Sequence, residues 1–140
     1  MFKQKSLIGT EIDTITQTIE RGAIKNLHRA LGKNPHHPSN SELFPAFLLG
    51  QLVNMPQIHK VLSLGTNQVL LSRESITAHR AIKVGDTIKV QTFLKDVYEQ
   101  QATSNPIGFI ILDSIGSLDA NVVFYCEKIL AVRGGFSRGH

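Results

Sequence analysis

Cysteine is almost missing from this chain, and that already narrows what it can be. Cys126 stands alone, so no internal disulfide can form and no zinc-type Cys/His spacing exists. No leader of the secretory kind, charged and then apolar, opens the sequence; with the lone thiol, this sets the expectation of a reducing, cytoplasmic location. Runs of five or more like charges are absent, and so is the G-x-x-x-x-G-K-[ST] loop that cradles phosphates. Aromatic residues make up only 6%. The net charge of +4 therefore favours anionic partners in a general way, without the aromatic platforms that would point to nucleic acid. The longest uncharged stretch, Leu43 to Ile58, is too short to cross a bilayer and carries Pro45 and Pro56, so no membrane span is expected. No metal and no cofactor is expected either.

What is present suits a globular α+β protein. A chain of 140 residues with 41% apolar and 19% charged side chains can bury its own core, and we expect one domain over residues 1–134 with a flexible tail over 135–140. Leu7 to Thr18 is rich in β-branched residues and reads as a first strand. From Glu20 the period changes. Ile24, Leu27 and Leu31, supported by Ala23 and Ala30, recur three and four apart, which predicts a helix from about Ile19 to Leu31, closed by Gly32. Arg21, Lys25, Arg29 and Lys33 form a basic ridge on that helix, either plain solvated surface or a landing strip for an acidic partner or a phosphate-bearing substrate.

Leu43 to Val53 is apolar almost all round, as a helix buried on most sides would be, with Pro45 in its first turn and Gly50 open to close approach. A short second helix is predicted over Gln57 to Leu64. Beyond Asn67 the pattern is sheet: Val69–Arg80, Thr87–Glu99, Ile107–Ser117 and Val122–Arg133, separated by short turns and hence antiparallel. The last two carry apolar residues on both parities, so both faces of the sheet are expected to be covered, one by the buried helix and one by a second subunit.

The chemistry-bearing cluster is Leu31-Gly32-Lys33-Asn34-Pro35-His36-His37. At this point three pieces of sequence line up with a known family. Ile19-Glu20-Arg21-Gly22-Ala23-Ile24 with Arg29-Ala30-Leu31-Gly32 and Asn34-Pro35, then Thr77-Ala78-His79-Arg80-Ala81-Ile82-Lys83-Val84-Gly85-Asp86, then Asp96-Val97-Tyr98-Glu99, resemble in order and spacing the N-terminal, FAS1-like dehydratase half of the MaoC family. The resemblance runs over nearly the whole chain. It implies a hotdog fold, an antiparallel sheet wrapped around a central buried helix, and acyl groups carried on coenzyme A or acyl carrier protein as ligands.

Active members of that family resemble G-D-x-N-P-[LIV]-H, in which aspartate and histidine form the acid/base pair that adds or removes water across an enoyl thioester. Here the matching run is Gly32-Lys33-Asn34-Pro35-His36-His37, one residue shorter, with the aspartate absent and Lys33 after the glycine. The resemblance implies His37, helped by Asn34, as the catalytic pair, and an acyl chain lying along the central helix with the N–H groups near Ala46 and Phe47 facing its carbonyl; the basic ridge offers Arg21, Lys25 and Lys33 as contacts for the carrier's phosphates. The resemblance implies dimers too, either with itself or with another hotdog subunit. His37 keeps three readings open: catalytic base, structural histidine, or a ligand contact without turnover. Thus the protein reads as an (R)-specific enoyl-thioester hydratase or 3-hydroxyacyl-thioester dehydratase with an altered loop, or as the non-catalytic, acyl-binding subunit of a heteromeric dehydratase. Thioesterase chemistry, which other hotdog proteins perform with an acid on or near the central helix, is disfavoured because Leu43 to Leu64 contains no acidic residue. A carboxylate from elsewhere in the chain, Asp113 for example, could complete the site.

Overall fold

The computed structural model describes residues 3–22, 43–65, 68–100 and 105–136. A 3-10 helix over Lys3–Leu7 leads into strand β1, Glu11–Thr18, so the first strand starts four residues later than its composition suggests. The cause is local: the Thr10 hydroxyl and N–H both bond the Leu7 carbonyl, and Gly9 turns the chain at positive φ. Arg21 and Gly22 begin a helical turn. The remainder of the helix predicted from Ile19 to Leu31, and the cluster up to His37, lie outside the described residues.

The Val/Ile/Thr-rich segments form β3 (Val69–Ala78), β5 (Thr87–Gln100), β6 (Ile107–Leu118) and β7 (Asn121–Arg133), each within two residues of the limits their composition predicts. Together with β1 they make a five-stranded antiparallel sheet in the order β1-β5-β6-β7-β3. Its inner face carries Ile88, Val90 and Leu94 of β5, Ile110 and Leu112 of β6, and Phe124 and Leu130 of β7, all sealed from solvent; each such side chain contributes roughly 1.5–3 kcal/mol of burial. Gly116 is required there, because a Cβ at this position would overlap the Phe124 ring. Thr92 and Ser114, also inward and buried, satisfy each other through a 2.7 Å hydrogen bond. The outer face is only half-buried within one chain, with Tyr98 stacked on Phe109 at 5.1 Å between ring centres.

The apolar segment after Leu43 departs from the predicted single helix. Leu43–Phe44 is a two-residue strand, β2, paired with β4 (Ile82–Lys83), and the helix that follows is 3-10, Ala46–Leu52. It is buried on one side only. Leu49, Gly50 and Leu52 face the sheet, whereas Phe47 is 59% exposed. A short α-helix, α1, spans Met55–Val61 with Pro56 in its first turn. This remains the hotdog layout, with its central helix shorter, tighter and more one-sided than the sequence predicts. The closing segment also differs from a free tail at its start: Phe136 is buried over Gly108, and its N–H donates to Glu99 Oε2 at 3.1 Å.

Candidate functional site

Gln17 Nε2 donates to the Leu52 carbonyl at 2.7 Å and fixes the end of the central 3-10 helix against β1. The body of that helix lies on the inner face of β3 and β7. Between helix and sheet two grooves open. One, of about 350 Å³, is lined by Ala46, Phe47, Glu74, Ile76 and Ala78. The other, of about 430 Å³, is bounded by Phe47, Gly50, Met55, Leu71, Glu74 and Lys128 among others. Glu74 and Phe47 belong to both grooves.

Glu74 owes its position to a fault in the strand. The register of β3 against β7 shifts between Leu71 and Arg73. Strict alternation from Val69 and Leu71 would turn Arg73 inward; the extra residue turns Glu74 inward instead, directly opposite Lys128. Lys128 Nζ donates to Glu74 Oε2 at 2.6 Å, with the lysine side chain 8% and the glutamate side chain 25% exposed. An ammonium buried so far requires an anionic partner. The carboxylate rests on Gly50, where a Cβ would collide with it. Glu74 Oε1 makes no hydrogen bond with any described residue.

Next to this pair, on the same inward face of β7, the buried Cys126 thiol is pushed up to about 11, by desolvation above all; the neighbouring Lys128 charge opposes this shift, and Glu74 and Glu127 add to it. On β1, burial and then the charge of Glu11 hold the Asp13 carboxyl above its usual range, and its Oδ2 has no hydrogen-bond partner among the described residues.

The structure brings two of the sequence-derived site residues together, Ala46 and Phe47, as walls of one groove. Arg21 is exposed and lines neither groove. His37, Asn34, Lys25 and Lys33 lie outside the described residues. Asp113 is placed on the outer face with Glu127 and Lys95, the side opposite the central helix. The carboxylate that does reach the helix, Glu74, escapes sequence reasoning, because nothing in Leu70-Leu71-Ser72-Arg73-Glu74-Ser75 marks where alternation breaks. Among the described residues no helix is long and apolar enough to cross a membrane, and no three metal-ligating side chains gather.

Comparison with solved structures agrees with this architecture. A MaoC-like dehydratase from Rhodospirillum rubrum superposes with a TM-score of 0.68 at 13% identity, over 100% of this chain and 99% of that one. A chain of the ChsH1-ChsH2 complex from Mycobacterium tuberculosis gives 0.67 at 17% identity, covering 97% and 89%. The (R)-hydratase from A. caviae involved in PHA biosynthesis gives 0.61 at 10% identity, covering 88% and 94%. At such identities the likeness is one of fold. No curated protein matches the sequence significantly. The family model for the FAS1-like dehydratase domain region matches residues 6–117, which is most of the chain, and the protein belongs to that family.

Proposed function

We propose that this protein is a hotdog subunit that takes acyl thioesters of coenzyme A or acyl carrier protein and acts on them as an (R)-specific enoyl-thioester hydratase or 3-hydroxyacyl-thioester dehydratase. The observation that carries the reading is the groove walled by Ala46, Phe47, Ile76 and Ala78 with a carboxylate at its side, in a chain of the FAS1-like dehydratase family. An apolar slot with one polar group suits an acyl chain whose reacting carbons must be held beside a proton-transfer group. Hydration needs one group to activate water and a route for the proton that ends on the α-carbon. In this reading His37 and Asn34 supply the loop's share, Ala46 and Phe47 hold the acyl group, and Arg21, Lys25 and Lys33 meet the phosphates of the carrier. The central helix has only seven residues, so its dipole is a weak aid, and the groove walls carry the binding.

The test is hydration of crotonyl-CoA followed by loss of the enoyl absorbance. Turnover by the wild type and a fall of about 10²–10⁴ in His37→Ala would support the assignment. No turnover by the wild type would overturn it.

A second reading, an acyl-binding subunit that works beside another hotdog chain, is favoured by strand β3. It ends the sheet, no described strand pairs with its free side, and it presents Leu70 at 60% and Leu71 at 53% exposure. An edge of ten residues is a template for pairing with another chain. Purified protein that sediments as a monomer and stays monomeric in Leu70→Lys would count against pairing through this edge; a dimer disrupted by the substitution would support it.

A further inference from the structure

We infer that Glu74 is the carboxylate of the acyl groove, the group that carries the proton between the second carbon of the acyl chain and the oxygen on the third. The inference rests on the acyl-thioester reading and names a carboxylate where the sequence from Gly32 to His37 has none. Four observations converge on it. The register break between Leu71 and Arg73 re-aims β3 so that Glu74, and not Arg73, faces the central helix; such bulges are enriched beside active sites because they redirect a side chain. Gly50 provides the space for the carboxylate where any side chain would exclude it. Glu74 lines both grooves beside the central helix. Finally, Lys128 holds one oxygen, Oε2, at 2.6 Å, which leaves Oε1 without a partner among the described residues.

Stability alone gives little reason for this pair. The other inward residues of β7 are Phe124, Cys126, Leu130 and Val132, all buried. Apolar side chains at positions 74 and 128 would continue that face, and buried ion pairs replaced in this manner are commonly neutral or better. The pair instead presents a fixed carboxylate, anchored through one oxygen, to an apolar slot.

The chemistry balances with one carboxylate. In the dehydrating direction Glu74 Oε1 takes the proton from C2 of a 3-hydroxyacyl thioester. The C2–H electron pair becomes the C2=C3 double bond, the C3–O bond breaks, and the leaving oxygen takes the same proton from Glu74 and departs as water. Hydration is the reverse: water gives its proton to Glu74 as its oxygen bonds to C3, and Glu74 returns that proton to C2. One base serving both carbons requires that hydrogen and hydroxyl leave from the same face of the chain.

The decisive variant is the neutral pair Glu74→Gln/Lys128→Met, which removes the acid without stranding a buried ammonium. If Glu74 moves the proton, this protein keeps its circular dichroism spectrum and urea midpoint yet loses about 10²–10⁴ in kcat on crotonyl-CoA, with KM changed by less than about threefold. Activity within about threefold of wild type in the folded double variant would overturn the inference and return the pair to a structural role. A binding measurement separates this outcome from failure of the hydratase reading itself. By calorimetry the wild type should bind (R)-3-hydroxybutyryl-CoA about tenfold tighter than butyryl-CoA, as a hydrogen bond to a charged acceptor allows, and the double variant should bind the two alike. A wild type that cannot distinguish the two esters would overturn the Glu74 contact even if crotonyl-CoA is turned over. A wild type that distinguishes them but shows no turnover would keep the contact and remove the hydratase reading.

Discussion

Glu127 and Lys128 are neighbours on β7, yet they belong to two different electrostatic worlds. Lys128 points inward to Glu74 at 2.6 Å with its side chain 8% exposed. Glu127 points outward to Lys95 at 3.1 Å, and Lys95, 52% exposed, also approaches Asp113 at 4.0 Å. The alternation of the strand alone sorts the two residues. The outer trio has more charges and more contacts; the inner pair has one bond. Burial, not the number of partners, decides which matters, because water screens the outer charges and has little access to the inner ammonium.

Breaking the inner pair from one side should therefore have the largest effect. Glu74→Ala strands the Lys128 ammonium on the inner face and should cost about 3–5 kcal/mol of stability in urea denaturation. Neutralising both residues, as Glu74→Leu/Lys128→Met, should restore most of that loss. If the single substitution proves no worse than an ordinary surface change, the inner and outer sets are energetically alike and the contrast fails.

Cys126 sharpens the same contrast through pH. It is inward, buried, and its thiol stands at about 11 against 9.0 for the free group. Below pH 9 the thiol is protonated in folded and unfolded chains alike. As pH rises from about 9 to about 11 the unfolded chain sheds the proton first, so stability is present below this window and is lost across it. Discounted for screening, the loss should be about 1–2 kcal/mol. The measurement is the difference between wild type and Cys126→Ala in urea midpoints at pH 8 and pH 10.5. The wild type should fall further, whereas parallel decline in both proteins would show that Cys126 does not sense the inner face.

How much of this was legible in the sequence follows from the range of the forces involved. The long strands were, because β-branched runs such as Ile107–Leu118 and turn residues such as Lys83-Val84-Gly85-Asp86 act locally; the Asp86 carboxylate closes its own turn by accepting from the Lys83 N–H at 3.0 Å. The central segment was legible as apolar but not as strand plus 3-10 helix, since Leu43–Phe44 is defined by pairing with Ile82–Lys83 far along the chain. Ala46 and Phe47 were named only as neighbours of a bound acyl carbonyl along that helix; that they wall a groove with Glu74 depends on how the helix meets β3. Glu74 was not legible, because a register break exists only between two strands, and Arg73-Glu74 reads as ordinary edge charge until β7 is laid beside it. Asp113 lies on the other side of the sheet for the converse reason: β6 keeps strict alternation, with Leu112 and Ser114 inward, so Asp113 faces out.

The smallest effect is expected at the outer trio. Hydrogen bonding to Glu127, and next the charge of Asp113, raise the Lys95 ammonium above its ordinary value, so whatever the trio contributes is present at neutral pH and fades as pH rises through the lysine range. Lys95 is long, flexible and open to solvent; holding it in place costs side-chain freedom that offsets the Coulomb attraction. Lys95→Ala should leave the urea midpoint near that of the wild type, and the residual difference should shrink further in about 1 M salt, where the screening length falls to about 3 Å. A loss as large as that of Glu74→Ala, persisting in salt, would mean that the outer face is covered in solution, with the trio sealed beneath a second chain, and the two faces of β7 would then be equals.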